Sequence, residues 1–161
     1  MKNELDEKIK QNIVENYDRY YRLAYSYVRN EHDALDIVQE GSYKAIYYGK
    51  TLKNEQFLTT WVYRIMINEA LSYIKKNHKD YDLIEEVAGG KEDIYEEVDL
   101  KRAIDNLGEP ESTIIRLRFF EDLKIEKVAE ILNENVNTVK TKLYRSLKKL
   151  KLELSEEELH D

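Results

Sequence analysis

Near the end of the chain, Lys140, Thr141, Tyr144, Arg145 and Lys148 recur at spacings of one, three and four residues, which place side chains on one face of a helix. Long cations, a hydroxyl and a phenol in that pattern suit recognition rather than bond breaking. Such groups can donate hydrogen bonds to base edges and neutralise phosphates. From Lys140 to Lys151 the chain carries six Lys or Arg, and no acid lies between Glu134 and Lys151. The whole protein has a formal charge of −7. A charge run by itself is usually a solvated face, so the neighbouring elements must decide what this one does.

Other chemistries find little support. The carboxylate pairs Glu85-Glu86 and Glu96-Glu97 fall in a segment without a rigid fold to hold a catalytic geometry. His32, His78 and His160 have no ligand spacing, and no glycine loop could cradle a phosphate. The absence of Cys excludes disulfides, thiolate metal sites and thiol nucleophiles, and suits a reducing cytoplasm. No catalytic residue, metal, cofactor or small-molecule substrate is therefore expected. The start, "MKNELDEKIKQN", lacks the apolar core of a signal peptide, and no apolar run reaches membrane-spanning length. Abundant Lys, Asn, Ile and Tyr fit an AT-rich bacterial genome. A cytoplasmic protein is expected.

Charge is unevenly distributed. Residues 1–78 carry 12 basic and 11 acidic side chains, residues 79–99 carry 2 and 9, residues 100–154 carry 12 and 9, and residues 155–161 carry four acids and no base. With Gly89-Gly90 and weak periodicity, residues 79–99 read as an acidic flexible linker between domains at 1–78 and 100–154, with an acidic tail at 155–161. One Pro and five Gly are too few for a turn-rich all-β fold. The expected class is all-α, with two small helical domains.

In the first domain, Ile13, Tyr17, Tyr20, Ala24, Tyr27 and Val28 make one apolar stripe through a long first helix. "RNEHD" interrupts it, with Asn30 as the next N-cap and Asp33 in the first turn. Ala34, Ile37, Val38, Gly41 and Ala45 form the stripe of the second helix. After a loop from Gly49, a third helix carries Leu58, Trp61, Ile65, Leu71 and Ile74 on one side, and Asn68 falls on that stripe.

In the second domain, Leu100, Ala103, Ile104 and Leu107 make a helix ended by Gly108 and Pro110. Glu111 to Phe120 makes another. Ile125 to Leu132 is a short helix with Val128, Ala129 and Leu132 inward, and "NENV" is a turn in which Asn133 accepts a left-handed conformation. Asn137 or Thr138 caps the last helix, whose apolar positions are Val139, Leu143, Leu147 and Leu150. The pattern is a helix-turn-helix, and it leaves Lys140, Thr141, Tyr144, Arg145 and Lys148 facing outward.

The segment "LRFFEDLKIEKVAEILNENVNTVKTKLYRSLKKLK" resembles region 4 of the extracytoplasmic-function (ECF) sigma factors of RNA polymerase. "HDALDIVQEGSYKAI" and "FLTTWVYRIMINEALSYIKK" resemble helices of that family's region 2, in the family's order and spacing. The resemblance implies a factor that binds core RNA polymerase and directs it to promoter DNA, under an anti-sigma factor that is often membrane-anchored in the family. It assigns Asp33, Asp36, Gln39 and Glu40 to the helix that docks on core polymerase. The loop from Gly49 to Phe57, with Lys53, and the positions Asn68, Ser72, Lys75 and Lys76 fall to opening and reading the −10 element. Asn68 is equally readable as a core amide, and Trp61 reads as core. Arg118, Lys140, Thr141, Tyr144, Arg145 and Lys148 fall to the −35 element, although Arg118 could instead pair with Glu121 or Asp122.

The chain departs from the family where Leu35 replaces an acid, where Gly41-Ser42 replaces an apolar pair, and at Ser72 and Lys124. A stand-alone helix-turn-helix regulator is the competing reading. Such proteins usually need a dimer surface or a receiver domain, and residues 1–78 resemble neither.

Overall fold

A computed structural model describes residues 2–77 and 92–158, with side chains at 4–77 and 99–151. Its helices form two compact units, one from the chain up to Asn77 and one from the chain beyond it, and no strand occurs among the described residues. The all-α, two-domain class is as expected. Of the expected linker, residues 79–91 lie outside the described residues, as do residues 159–161 of the tail. So do His78, His160 and Glu85-Glu86.

In the first unit the long first helix is two, α1 (Lys2–Glu15) and α2 (Tyr17–Val28). The break is Asn16, at φ −107° and ψ 15°. Its side-chain Nδ2 donates to the Asn12 carbonyl at 2.9 Å, where its own backbone N–H also donates at 3.0 Å. A short amide that competes for the helix's own acceptor bends the ladder there. Ile9, Ile13, Tyr20, Leu23, Ala24, Tyr27 and Val28 are buried across the bend, whereas Tyr17, expected on the stripe, is 40% exposed.

Arg29 ends α2 in the left-handed region, and Asn30 caps α3 (Glu31–Tyr47) by accepting the Asp33 N–H at 3.0 Å. The five positions expected on the buried stripe of α3 are all buried. Gly41 has a local reason. A Cβ there would come within 2.5 Å of Met66 Sδ, so Met66 of α4 (Leu58–Lys76) occupies the space that a larger residue would fill.

The stripe expected on α4 is a correction. Leu58, Trp61, Ile65, Leu71 and Ile74 are each half-buried, while Val62, Tyr63, Met66, Ile67 and Ala70 form the true core face. At roughly 100° per residue, Trp61, Ile65, Asn68 and Ser72 share a narrow strip on the side opposite that face.

In the second unit, α5 spans Glu92–Asn106, so residues 92–99 of the expected linker are helical. Glu92 and Asp93 open this helix, where the macrodipole favours negative charge. Acidity that reads as linker solvation thus belongs partly to a helix start. Gly108, at φ 73°, turns the chain. The expected helix from Glu111 to Phe120 is a short α6 (Glu111–Ile115) followed by a π-helical turn at Arg116–Phe120. Arg116 is 1% exposed and pairs with Asp105 at 2.5 Å and with the Ser112 hydroxyl, fastening α6 to α5.

The helix-turn-helix consists of α7 (Ile125–Leu132) and α8 (Val136–Glu158), and the last helix therefore takes in residues 155–158 of the expected tail. Asn133 is left-handed, at φ 54°, as expected, and the Glu134 N–H reaches the Ala129 carbonyl at 2.9 Å. The cap of α8 is neither Asn137 nor Thr138. Asn135 Oδ1 accepts the Asn137 N–H at 2.8 Å, and the Asn135 carbonyl accepts the Val139 N–H at 3.0 Å. Val128, Ala129, Val139, Leu143 and Leu150 are buried with Ile104, Ile114, Ile115 and Leu117, whereas Leu132 and Leu147 are half-buried.

Candidate functional site

With Val139, Leu143, Ser146 and Leu150 inward, α8 turns Lys140, Thr141, Tyr144, Arg145 and Lys148 outward together. Tyr144 is 63% exposed. The Thr141 hydroxyl donates to the Asn137 carbonyl at 3.0 Å, which leaves its oxygen as an acceptor. Lys149 and Lys151 are exposed farther along the helix. Asn137 also stands exposed on this face, one turn nearer the helix start. Its assignment as a cap hid it, and the Asx turn at Asn135 is the signal that would have revealed it.

Arg118 belongs to the π-helical turn and not to α8. Its guanidinium lies 3.6 Å from Asp122 and 5.5 Å from the centre of the Phe119 ring. Of the two acids considered for it, Asp122 is the partner, while Glu121 is buried.

The opposite strip of α4 lines a cleft of about 240 Å³ together with the end of α3 and the turn after it. The lining residues include Trp61, Ile65, Asn68, Ser72, Lys44 and Glu69. Asn68 is exposed, so the core-amide reading falls, and Trp61 is a half-buried wall of the cleft and not a core residue. Lys44 Nζ binds Glu69 Oε2 at 2.6 Å at this wall, and the bonded carboxylate holds the Lys44 ammonium above the usual lysine range. Lys75 and Lys76 are exposed at the end of α4, and Lys53 is exposed in the loop between the turns Gly49–Thr51 and Glu55–Phe57. A flat aromatic, an amide and peripheral cations suit an unpaired nucleic-acid strand better than a duplex.

The exposed side of α3 carries a third surface. Leu35, Gln39, Tyr43 and Tyr47 follow one another every fourth residue, and Leu35, Tyr43 and Tyr47 are 44%, 62% and 61% exposed. Tyr43 and Tyr47 stack at 6.1 Å, and Tyr48 meets Tyr47 edge-on at 4.9 Å. Glu40 is exposed beside this ridge, and half-exposed Asp36 lies 3.9 Å from His32 Nε2. Asp33 differs from the other three acids and amides assigned here. Its carboxylate accepts the Tyr73 hydroxyl at 2.7 Å and ties α3 to α4. Sequence reasoning missed Tyr43 and Tyr47, although their four-residue spacing from Leu35 and Gln39 was available.

Among the described residues no group of three or more His, Asp or Glu could hold a metal ion, and no helix is long and apolar enough to cross a membrane.

Residues 13–80 match the family described as Sigma-70 region 2, and residues 97–150 match Sigma-70 region 4. The RNA polymerase sigma factor SigV of Bacillus subtilis is 46% identical over 151 residues, 91% of each chain. The ECF RNA polymerase sigma factor SigW of the same organism is 32% identical over 88% of this chain and 87% of its own. Two solved structures share the fold. CnrH in complex with the cytosolic domain of CnrY has a TM-score of 0.69 at 18% identity, covering 91% of this chain and 87% of that one. The sigma factor RpoE of Bartonella quintana, in complex with the anti-sigma factor NepR, has a TM-score of 0.66 at 22% identity, covering 92% and 97%.

Proposed function

The chain belongs to the sigma-70 family of RNA polymerase sigma factors, in its ECF branch, and from that premise we propose how its surfaces divide promoter recognition. As a sigma factor it binds core RNA polymerase and directs it to specific promoters. The α8 face reads the −35 element, with Lys140, Thr141, Tyr144 and Arg145 at base edges and Lys148 on the backbone. Arg118, loosely paired, is a secondary backbone contact. The α4 strip reads the melted −10 strand through Asn68 and Ser72, with Lys53, Lys75 and Lys76 on its phosphates. The α3 ridge docks on core polymerase through Asp36, Gln39 and Glu40 around an aromatic centre at Tyr43 and Tyr47, and Asp33 supports that helix through Tyr73.

The domains follow as a region 2 unit over residues 1–78 and a region 4 unit whose first helix starts at Glu92. The protein performs no covalent chemistry and works in the cytoplasm. An anti-sigma factor, membrane-anchored or free, restrains it. Relatives of the same fold solved with CnrY and with NepR support that regulation.

The observation that carries the −35 reading is the outward array on α8, where five side chains suited to DNA share one exposed face of a helix-turn-helix. The test is reconstituted transcription from a randomised promoter library. Core polymerase with this chain should yield transcripts sharing a −35 and a −10 motif, and core alone should yield none. Transcription without an enriched motif would overturn the reading.

A further inference from the structure

The segment from Gly49 to Phe57 has few backbone bonds of its own. Thr51 reaches Tyr48, Leu52 reaches Gly49 and Phe57 reaches Asn54, all between 2.9 and 3.0 Å, and the stretch around Lys53 belongs to neither turn. A recognition loop of this kind must be held from outside to keep its geometry. The first twelve residues lie before the region 2 match, which begins at residue 13, yet α1 holds this loop at both ends.

Lys8 Nζ donates to Glu55 Oε2 at 2.8 Å. Ile9, fully buried, lies so close beneath Gly49 that a Cβ there would meet its Cδ1 at 2.5 Å. Asn12 Nδ2 donates to Thr59 Oγ1 at 2.9 Å, where the loop enters α4. Asn12 is itself fixed, because the Tyr20 hydroxyl donates to its Oδ1 at 2.6 Å. Tyr20 is fully buried and packs edge-on against Tyr63 of α4, with ring centres 5.1 Å apart. A chain of contacts thus runs from the core of the first unit through Asn12 to the loop.

We infer that Lys8, Ile9 and Asn12 are positioning residues for −10 recognition, so that α1 sets the geometry of the loop without touching DNA. The inference rests on the −10 reading proposed above. The Lys8–Glu55 pair is more than half exposed on both partners, so alone it contributes little. Ile9 would be needed for packing in any case. Asn12 is the discriminating residue, since its part-buried amide joins Tyr20 to Thr59.

The experiment uses holoenzyme assembled from the full chain and core polymerase. Its probe is a fork-junction DNA with a single-stranded −10 element that wild-type holoenzyme has selected from a randomised pool, compared with a scrambled −10. Asn12→Leu removes the bonds that Asn12 makes to the Tyr20 and Thr59 hydroxyls. It should lower the affinity ratio between the two probes about fivefold, as expected for loss of one hydrogen-bonded contact. Core affinity and helical content should stay near wild type. Asn12→Asp accepts from both hydroxyls and should keep the ratio within about twofold.

Should Asn12→Leu fail to fold, Lys8→Glu sets a like charge against Glu55 and should push the loop away and lower the ratio, and the exchange Lys8→Glu with Glu55→Lys should restore it. An unchanged ratio in Asn12→Leu overturns the inference. So does a ratio that falls only in step with core affinity, or an exchange that restores nothing. Lys53→Ala and Asn68→Ala run in parallel. If they too leave the ratio unchanged, the −10 reading fails and the inference fails with it. If they collapse the ratio while Asn12→Leu does not, only the role of α1 is lost.

Discussion

At the scale of single residues, the −35 reading proposed for the α8 face divides it into two kinds of DNA contact. Lys140, Thr141, Tyr144 and Arg145 lie in the first turns, where a recognition helix enters the major groove, and Lys148 and Lys149 lie farther along. An Arg guanidinium can bond a base edge at two points, and losing that pair leaves the base edge unread. Arg145→Ala should therefore reduce holoenzyme affinity for its cognate promoter by about 1–3 kcal/mol and relax preference at one −35 position. Lys148→Ala should weaken binding to all −35 variants alike and reduce the salt slope by about one unit. Binding titrations over single-base −35 variants at several salt concentrations check both. If every basic residue behaved like Lys148, the helix would be an anchor and not a reader.

The elements show what could be read in advance. The stripe of α3 was legible because its five apolar positions have no other task than burial, and all five are buried. The stripe of α4 was misread because Trp61 and Ile65 are apolar for the cleft, while its core face includes Tyr63 and Met66. Hydrophobicity marks surfaces that leave water, and periodicity cannot say whether the second surface is a core or a partner. Arg116 was invisible for the opposite reason, since a charged residue at 1% exposure is intelligible only beside Asp105 and Ser112. Asn16 and Asn135 are short amides whose effect depends on which neighbouring backbone group they reach.

The cap of α8 gives a test at this scale. Asn135→Ala removes the side-chain acceptor for the Asn137 N–H and should cost about 1 kcal/mol of stability in the second unit. Its thermal midpoint should fall by roughly 4–8 °C, as expected for a domain of 60–100 residues. Asn137→Ala, at one of the two positions expected from sequence to be the cap, should change stability by less than about 0.5 kcal/mol. Circular dichroism melts of the full chain distinguish the two, and equal losses would return the cap to Asn137.

For the whole molecule, the net charge of −7 and the basic face of α8 work against each other. A polyanion attracts the face but repels the chain, and that repulsion is long-ranged at low salt. The free protein should therefore bind promoter duplex no more tightly than about 10⁻⁶–10⁻⁴ M, the range of non-specific association. Core polymerase should change the balance by adding its own DNA contacts and by engaging the proposed −35 and −10 surfaces on one promoter, so that each raises the effective concentration of the other. The assembled holoenzyme should reach about 10⁻⁸ M or tighter on its cognate promoter and lose most of that on a scrambled one. Fluorescence anisotropy with labelled duplex, with and without core polymerase, measures both states in one titration. Tight, sequence-specific binding by the free chain would mean that α8 and its neighbours suffice alone, as in a stand-alone helix-turn-helix regulator, and that the α3 ridge serves some partner other than polymerase.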